Sequence, residues 1–223
     1  LPVDWRWTRK GIALSATFLV ATLALRGVQT IDRYWLEALA GIEIVGAYVL
    51  FLGIAGALLV FLEAGVFAYI YPELIQLAHK GEHVLARKQM WQMLFQTLAL
   101  CVAFGFVSCF ILPFLLDWIG NPVYKNAFQL YPWILVAMTI NAVSMVPHYV
   151  LYAYGKDRVI IYSHLAALPM FLLTTWLASL SQPLLAGPIG LSASFTLVLA
   201  WKPIACWRLG RDASMATPFF MSS

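Results

Sequence analysis

Apolar runs long enough to cross a bilayer recur from one end of this chain to the other, and no polar segment of domain size separates them. That pattern constrains the fold more than any motif does, because a hydrocarbon solvent leaves only helices and closed barrels as spanning structures. The runs are continuous and lack the alternation of barrel strands, so the expectation is an all-α membrane protein. Composition agrees: 62% of the 223 residues are hydrophobic and 11% charged, and the mean hydropathy is +0.82. A soluble domain is roughly half apolar.

Six spans are expected, at about 11–39, 43–71, 90–116, 127–154, 159–180 and 189–207, each long enough for a hydrocarbon core of about 30 Å. The breaks "DWIGNP", "YGKDR" and "SQPLLAGP" place Gly, Pro, Asn and Asp where helices should stop. Residues 1–10 read as a cytoplasmic connector from something earlier, 11–208 as one six-helix lobe, and 209–223 as a cytoplasmic tail. The connector "YPELIQLAHKGEHVLARKQMWQML" interleaves apolar and charged residues, which suits either a short helix lying in the cytoplasmic interface or a solvated helical link.

Six spans put both termini on one side. That side would carry Arg6, Arg9, Lys10, Lys80, Arg87, Lys88, Lys156, Arg158, Lys202, Arg208 and Arg211, against Lys125 alone on the other. Cytoplasmic loops are the basic ones, so both termini are expected in the cytoplasm. Lys202, about one turn inside the last span, is expected to snorkel to that surface. The net charge of +4 is scattered over short loops, which argues against nucleic acid as a partner. Cys101, Cys109 and Cys206 lie inside apolar runs without metal-like spacing and read as packing residues.

One stretch breaks the apolar pattern from within. Thr22, Arg26, Gln29, Thr30, Arg33 and Glu37 recur at intervals of three and four residues along the first span, a polar stripe on one helical face with Asp32 beside it. Asp32 is placed to offset one arginine, and Arg33 and Glu37 to pair four residues apart. Counted from Ile12, Arg26 lies roughly 21 Å into the bilayer, in its outer half, and Arg33 roughly 31 Å. An arginine facing lipid at that depth is expensive, so Arg26 should face the bundle or a wet cavity. Two readings compete. Asp32, Arg33 and Glu37 anchor the helix end in the headgroups, or the stripe is the cationic wall of a cavity for an anionic substrate, the guanidinium fork matching phosphate oxygens.

The stretch "TIDRYWLEALAGIEIVGAYVLF", residues 30–51, resembles the opening of the second half of bacterial polysaccharide flippases, the Wzx-type transporters of lipid-linked oligosaccharides. Asp32, Arg33, Leu36, Gly41, Val45, Gly46 and Tyr48 carry the likeness. Tyr71-Pro72 with the basic "HKGEH", and Leu151, Ala153, Gly155 and Lys156 in "NAVSMVPHYVLYAYGKDRVII", are similar to later turns of the same family. The superfamily also contains multidrug antiporters and peptidoglycan-precursor flippases.

The resemblance implies one six-helix lobe of a two-lobe transporter in the bacterial inner membrane. Its partner would be an N-terminal six-helix lobe, covalent or separate, and its surroundings membrane lipid. The implied substrate is an isoprenoid pyrophosphate-linked sugar, carried to the outer leaflet by alternating access during polysaccharide or O-antigen export. Substrate contacts would fall to Arg26, Arg33, Gln29, Thr30 and Asn141. Ion coupling would need an intramembrane carboxylate, Asp32 or Glu63.

Two alternatives stand beside this reading. A multidrug or small-molecule antiporter of the same superfamily would favour acidic residues over arginines in its cavity. A membrane-embedded lipid-sugar transferase would need carboxylate pairs, an HxxxD-like pair or a Gly-rich phosphate loop, and none appears, so an enzyme is not expected. His79 and His83 are four residues apart but flank Gly81, and His148 and His164 are each eight residues from Lys156, which puts them at similar depth on neighbouring helices. The first pair has no third ligand near in sequence; for the second, a shared proton or metal role stands beside ordinary packing and hydrogen bonding, and no metal or cofactor is expected. Pro113, Pro132, Pro147 and Pro169 are expected to bend or loosen their helices.

Overall fold

The computed structural model describes residues 5–216, with side chains described between 5 and 207 except at 6, 7, 10, 13 and 14. The outermost parts of the connector and tail, 1–4 and 217–223, lie outside the described residues. Among the described residues the chain is helical throughout, with no strand. The helices are α1 (Trp5–Ala40), α2 (Ile42–Leu62), α3 (Ala68–Lys80), α4 (His83–Ile119), the short α5 (Pro122–Asn126), α6 (Leu130–Ala153), α7 (Asp157–Ser179) and α8 (Ala186–Ala216). Five units are long and apolar enough to span: α2 with α3, α4, α5 with α6, α7, and α8 with the turn before it. α1, with 36 residues, has the length for a sixth.

The connector expected to lie in the interface does not form a separate element. A single π-helical turn, Glu63–Phe67, joins α2 to α3, so the second span continues as helix to Lys80. The helix survives Pro72 because the missing N–H falls in the turn just after the π segment, where the backbone pairing has already shifted register. Gly81 stops it. At φ +72° it adopts the left-handed conformation, while the amide of Glu82 donates to Leu77 O and that of Gly81 to Ala78 O. Gly155 closes α6 the same way, with the amide of Lys156 donating to Leu151 O and that of Gly155 to Tyr152 O.

Contacts between turns establish the two ends of the bundle. At one end, His83 Nδ1 lies 3.2 Å from Tyr154 Oη and the two rings stack. At the other, Tyr124 Oη of α5 sits over Gly46 of α2, and Gly187 of α8 lies against Asp32 of α1 and Tyr48 of α2. The helices therefore run up and down, and Lys80, Arg87, Lys88, Lys156 and Arg158 gather at the His83 end.

α8 is wedged between α6 and α7, α1 packs on α7 and α2, and α2 packs on α6. The interior divides into a layer around Tyr48, Phe51, Tyr131, Phe171 and Phe195, and a second around Leu58, Leu62, Phe67, Leu74 and Met93. Lipid supplies no hydrophobic drive between helices, so close approach matters most. Gly190 shows it: a methyl there would collide with Thr175 Oγ1 and come within 3.0 Å of the Phe171 ring. Of the prolines, Pro113, Pro147 and Pro169 lie inside α4, α6 and α7. Pro132 is only the third residue of α6, where a missing N–H is harmless, so it does not loosen the helix.

Candidate substrate-facing site

α1 has two opposed faces, and its sequence periodicity decides which goes inside. Ala21, Ala24, Val28, Asp32 and Leu36 recur every three or four residues and are buried. The opposite face carries Thr22, Arg26, Thr30, Arg33 and Glu37, all exposed, with Gln29 half-buried at its edge. The six residues expected to form one stripe do form one.

A methyl at Gly27 would lie 3.9 Å from Leu168 Cδ1, and Leu168 is the middle residue of the 23-residue α7, so Arg26 stands level with the middle of that helix. Arg33 lies about two turns further out.

The stripe is held by its own helix. Arg26 Nη1 donates to Gln29 Oε1 at 3.4 Å, and Thr30 Oγ1 donates to the Arg26 carbonyl at 2.9 Å. Among the described residues, the ion pair found joins Lys125 to Asp117 at 2.7 Å, and none joins Arg33 to Glu37. Among the described residues neither guanidinium group makes an ion pair with a carboxylate.

Asp32 makes no ion pair with either, although its carboxyl group lies within electrostatic range of Arg33. It points into the bundle, fully buried, where Tyr48 Oη donates to Oδ2 at 2.6 Å and the Arg33 amide donates to Oδ1 at 2.8 Å. The first turn of α8 closes over this pair at Gly187, which leaves 3.5 Å between a would-be Cβ and Tyr48 Oη. The first turn of α8 thus packs on the Asp32 Cβ and backbone carbonyl beside Tyr48. Sequence reasoning missed Tyr48 as the partner, although the signal was present. Asp32 lies nine residues before Gly41 and Tyr48 seven after, so a hairpin folded at Gly41 brings them level.

The remaining candidates lie elsewhere. Glu63 is exposed at the start of the π-helical turn, within electrostatic range of Tyr149, and about 22 Å along α2 from Tyr48. The two coupling carboxylates are therefore not brought together. Asn141 is buried in α6, where Ser144 Oγ donates to its backbone carbonyl at 2.8 Å; it does not share the exposed face of α1. Lys202 does not snorkel. It is 1% exposed, enclosed beside His148 of α6 and His164 of α7. Among the described residues no group of three or more His, Cys, Asp and Glu is arranged to hold a metal ion.

The arrangement as a whole is an all-helical bundle, with helices long and apolar enough for a multi-pass membrane protein, that presents a cationic, hydrogen-bonding face on α1. The chain matches no family model, no curated protein and no solved structure.

Proposed function

We propose that the chain is one lobe of a bacterial inner-membrane flippase that moves an isoprenoid pyrophosphate-linked oligosaccharide to the outer leaflet. Both termini would be cytoplasmic, on the strength of the basic residues gathered at the His83 end. A second six-helix lobe would face α1 across a water-filled cavity. One observation carries the reading: Arg26 stands exposed, level with the middle of α7, and makes no carboxylate ion pair among the described residues. Lipid is a poor solvent for that group, and a wet, anion-bearing cavity is a good one. A guanidinium fork satisfies pyrophosphate oxygens by two parallel hydrogen bonds, with Arg33 and the Gln29 amide adding donors along the same face. A cation-exporting antiporter gains nothing from such a wall.

The test is flipping of a pyrophosphate-linked saccharide in vesicles from cells that depend on this protein for export. Arg26→Ala with Arg33→Ala should lower the rate by about tenfold or more, the equivalent of losing one charge-assisted contact in the transported complex. Undiminished flipping by the double variant at normal membrane levels would overturn the substrate assignment.

A further inference from the structure

The tightest part of the bundle holds a cluster that the stripe does not involve. His148 of α6 and His164 of α7 stack with ring centroids 5.7 Å apart and planes 6° from parallel. Lys202 of α8 lies within electrostatic range of both rings, and its side chain is enclosed. His148 Nδ1 is buried with no hydrogen-bond partner. One turn beyond Lys202, Cys206 Sγ donates to the Pro147 carbonyl at 3.7 Å, fastening α8 to α6 beside the cluster.

Depth makes the cluster unusual. His164 lies four residues from the middle of α7, and His148 five residues, about 7.5 Å, inside the end of α6. The titratable groups around them are few. α6 adds Tyr149, edge-on to His148, and α8 adds Cys206 beside Lys202. Behind Tyr149 stand Tyr71 of α3, in ring contact with it, and Glu63, within its electrostatic range. α1, which also packs on α7 and α8, has no titratable residue between Lys10 and Arg26. Among the described residues the three bases therefore meet with no carboxylate ion-pair partner.

We propose that His148, His164 and Lys202 form an intramembrane proton-exchange site that holds one proton among three bases. Two like charges 5.7 Å apart at an effective dielectric constant of 20 disfavour each other by about two orders of magnitude in proton affinity, so a second proton is excluded near neutral pH. A trio with no charge at all would leave the Lys202 amine neutral and His148 Nδ1 still without a partner. One shared proton satisfies both constraints. With Lys202 1% exposed, a proton fits the enclosure and a substrate anion does not. Ionisable groups at this depth mark ion or proton pathways in membrane proteins far more often than they serve packing.

The experiment is a pH titration followed by nitrogen-15 NMR of the full chain in lipid bilayers. His79→Gln and His83→Gln in the background leave only the two imidazoles of interest, and Lys202 Nζ is read directly. The expected result is that the protonated fractions of the three groups sum to about one at pH 7 and that their curves share inflections, as coupled sites must. Lys202→Met should then move the midpoint of at least one imidazole by more than about one pH unit. Independent curves, or a sum near zero or two, would overturn the proposal. Should Lys202→Met fail to fold, the shared inflections in the unsubstituted trio decide the matter alone. The result does not depend on transport, so it stands or falls separately from the flippase reading.

Discussion

α1 and α4 are the two longest helices of the bundle, 36 and 37 residues, and each leaves one whole face uncovered. From Leu98 to Phe114 the uncovered face of α4 is Leu98, Val102, Phe106, Phe110 and Phe114 with Cys109 among them, and it carries no charge. Over a similar length the uncovered face of α1 carries Thr22, Arg26, Thr30, Arg33 and Glu37. One solvent cannot suit both. The α4 face is matched to acyl chains, to which its large side chains offer dispersion contact and no polar group. The α1 face needs water, a partner or a polar ligand at the same level of the membrane. The described bundle thus has an apolar side and a polar side, and the boundary between them can be drawn residue by residue.

The contrast breaks hardest if an arginine is moved to the wrong side. Phe106 is the centre of the exposed apolar stretch of α4 and 76% exposed. Phe106→Arg should disfavour insertion of this helix by about 2.5–3.5 kcal/mol on translocon scales, with snorkelling from mid-helix too long a reach to relieve it. Insertion efficiency of α4 in a glycosylation-mapping assay measures the effect. If Phe106→Arg inserts as well as the unsubstituted helix, the α4 face is not against lipid and the two faces are not distinguished by solvent.

A smaller effect separates the two sides of α1 itself. Asp32 lies on the same helix as the stripe but is inside the bundle, and its carboxyl group relies on Tyr48. Tyr48→Phe removes the hydroxyl at almost constant volume and leaves a buried acceptor short of a partner, a loss of about 1–3 kcal/mol. Denaturation in mixed detergent should show the change, while Thr30→Val, at an exposed position whose hydroxyl bonds only its own backbone, should leave stability within about 0.5 kcal/mol. Equal effects from the two substitutions would mean that both faces of α1 are equally packed.

Much of this was legible in the sequence, because hydrophobic length and helical periodicity are local properties. The spans follow from runs of apolar residues, and the stripe from spacings of three and four. What was not legible depends on neighbours. A lysine one turn from a helix end reads as a snorkelling residue, and only the wedging of α8 between α6 and α7 shows Lys202 to be enclosed. Asp32 and Arg33 are adjacent in sequence, yet a helix turns them about 100° apart, which sends one to Tyr48 and the other outward. Pro72 and the charges after it read as the end of a span, whereas the π-helical turn at Glu63–Phe67 lets the helix run on to Gly81.

The finest comparison is of rates at two thiols. Cys109 is exposed on the α4 face and Thr30 on the α1 face, one helical turn from Arg26, so a protein with Thr30→Cys as its single cysteine differs from one retaining only Cys109 in which face bears the thiol. Aqueous thiosulfonate reagents attack the thiolate, and a thiol in acyl chains neither ionises nor meets the reagent. If the α1 face borders water, Thr30→Cys in membrane vesicles should react at least about tenfold faster than Cys109, a difference equivalent to 1.4 kcal/mol of access or ionisation. The basic groups of Arg26 and Arg33 on the same face reinforce the difference by favouring the thiolate. Equal, slow reaction at both positions would place α1 against lipid or against a dry protein partner, and the arginines would then need anionic side chains from that partner in place of a substrate.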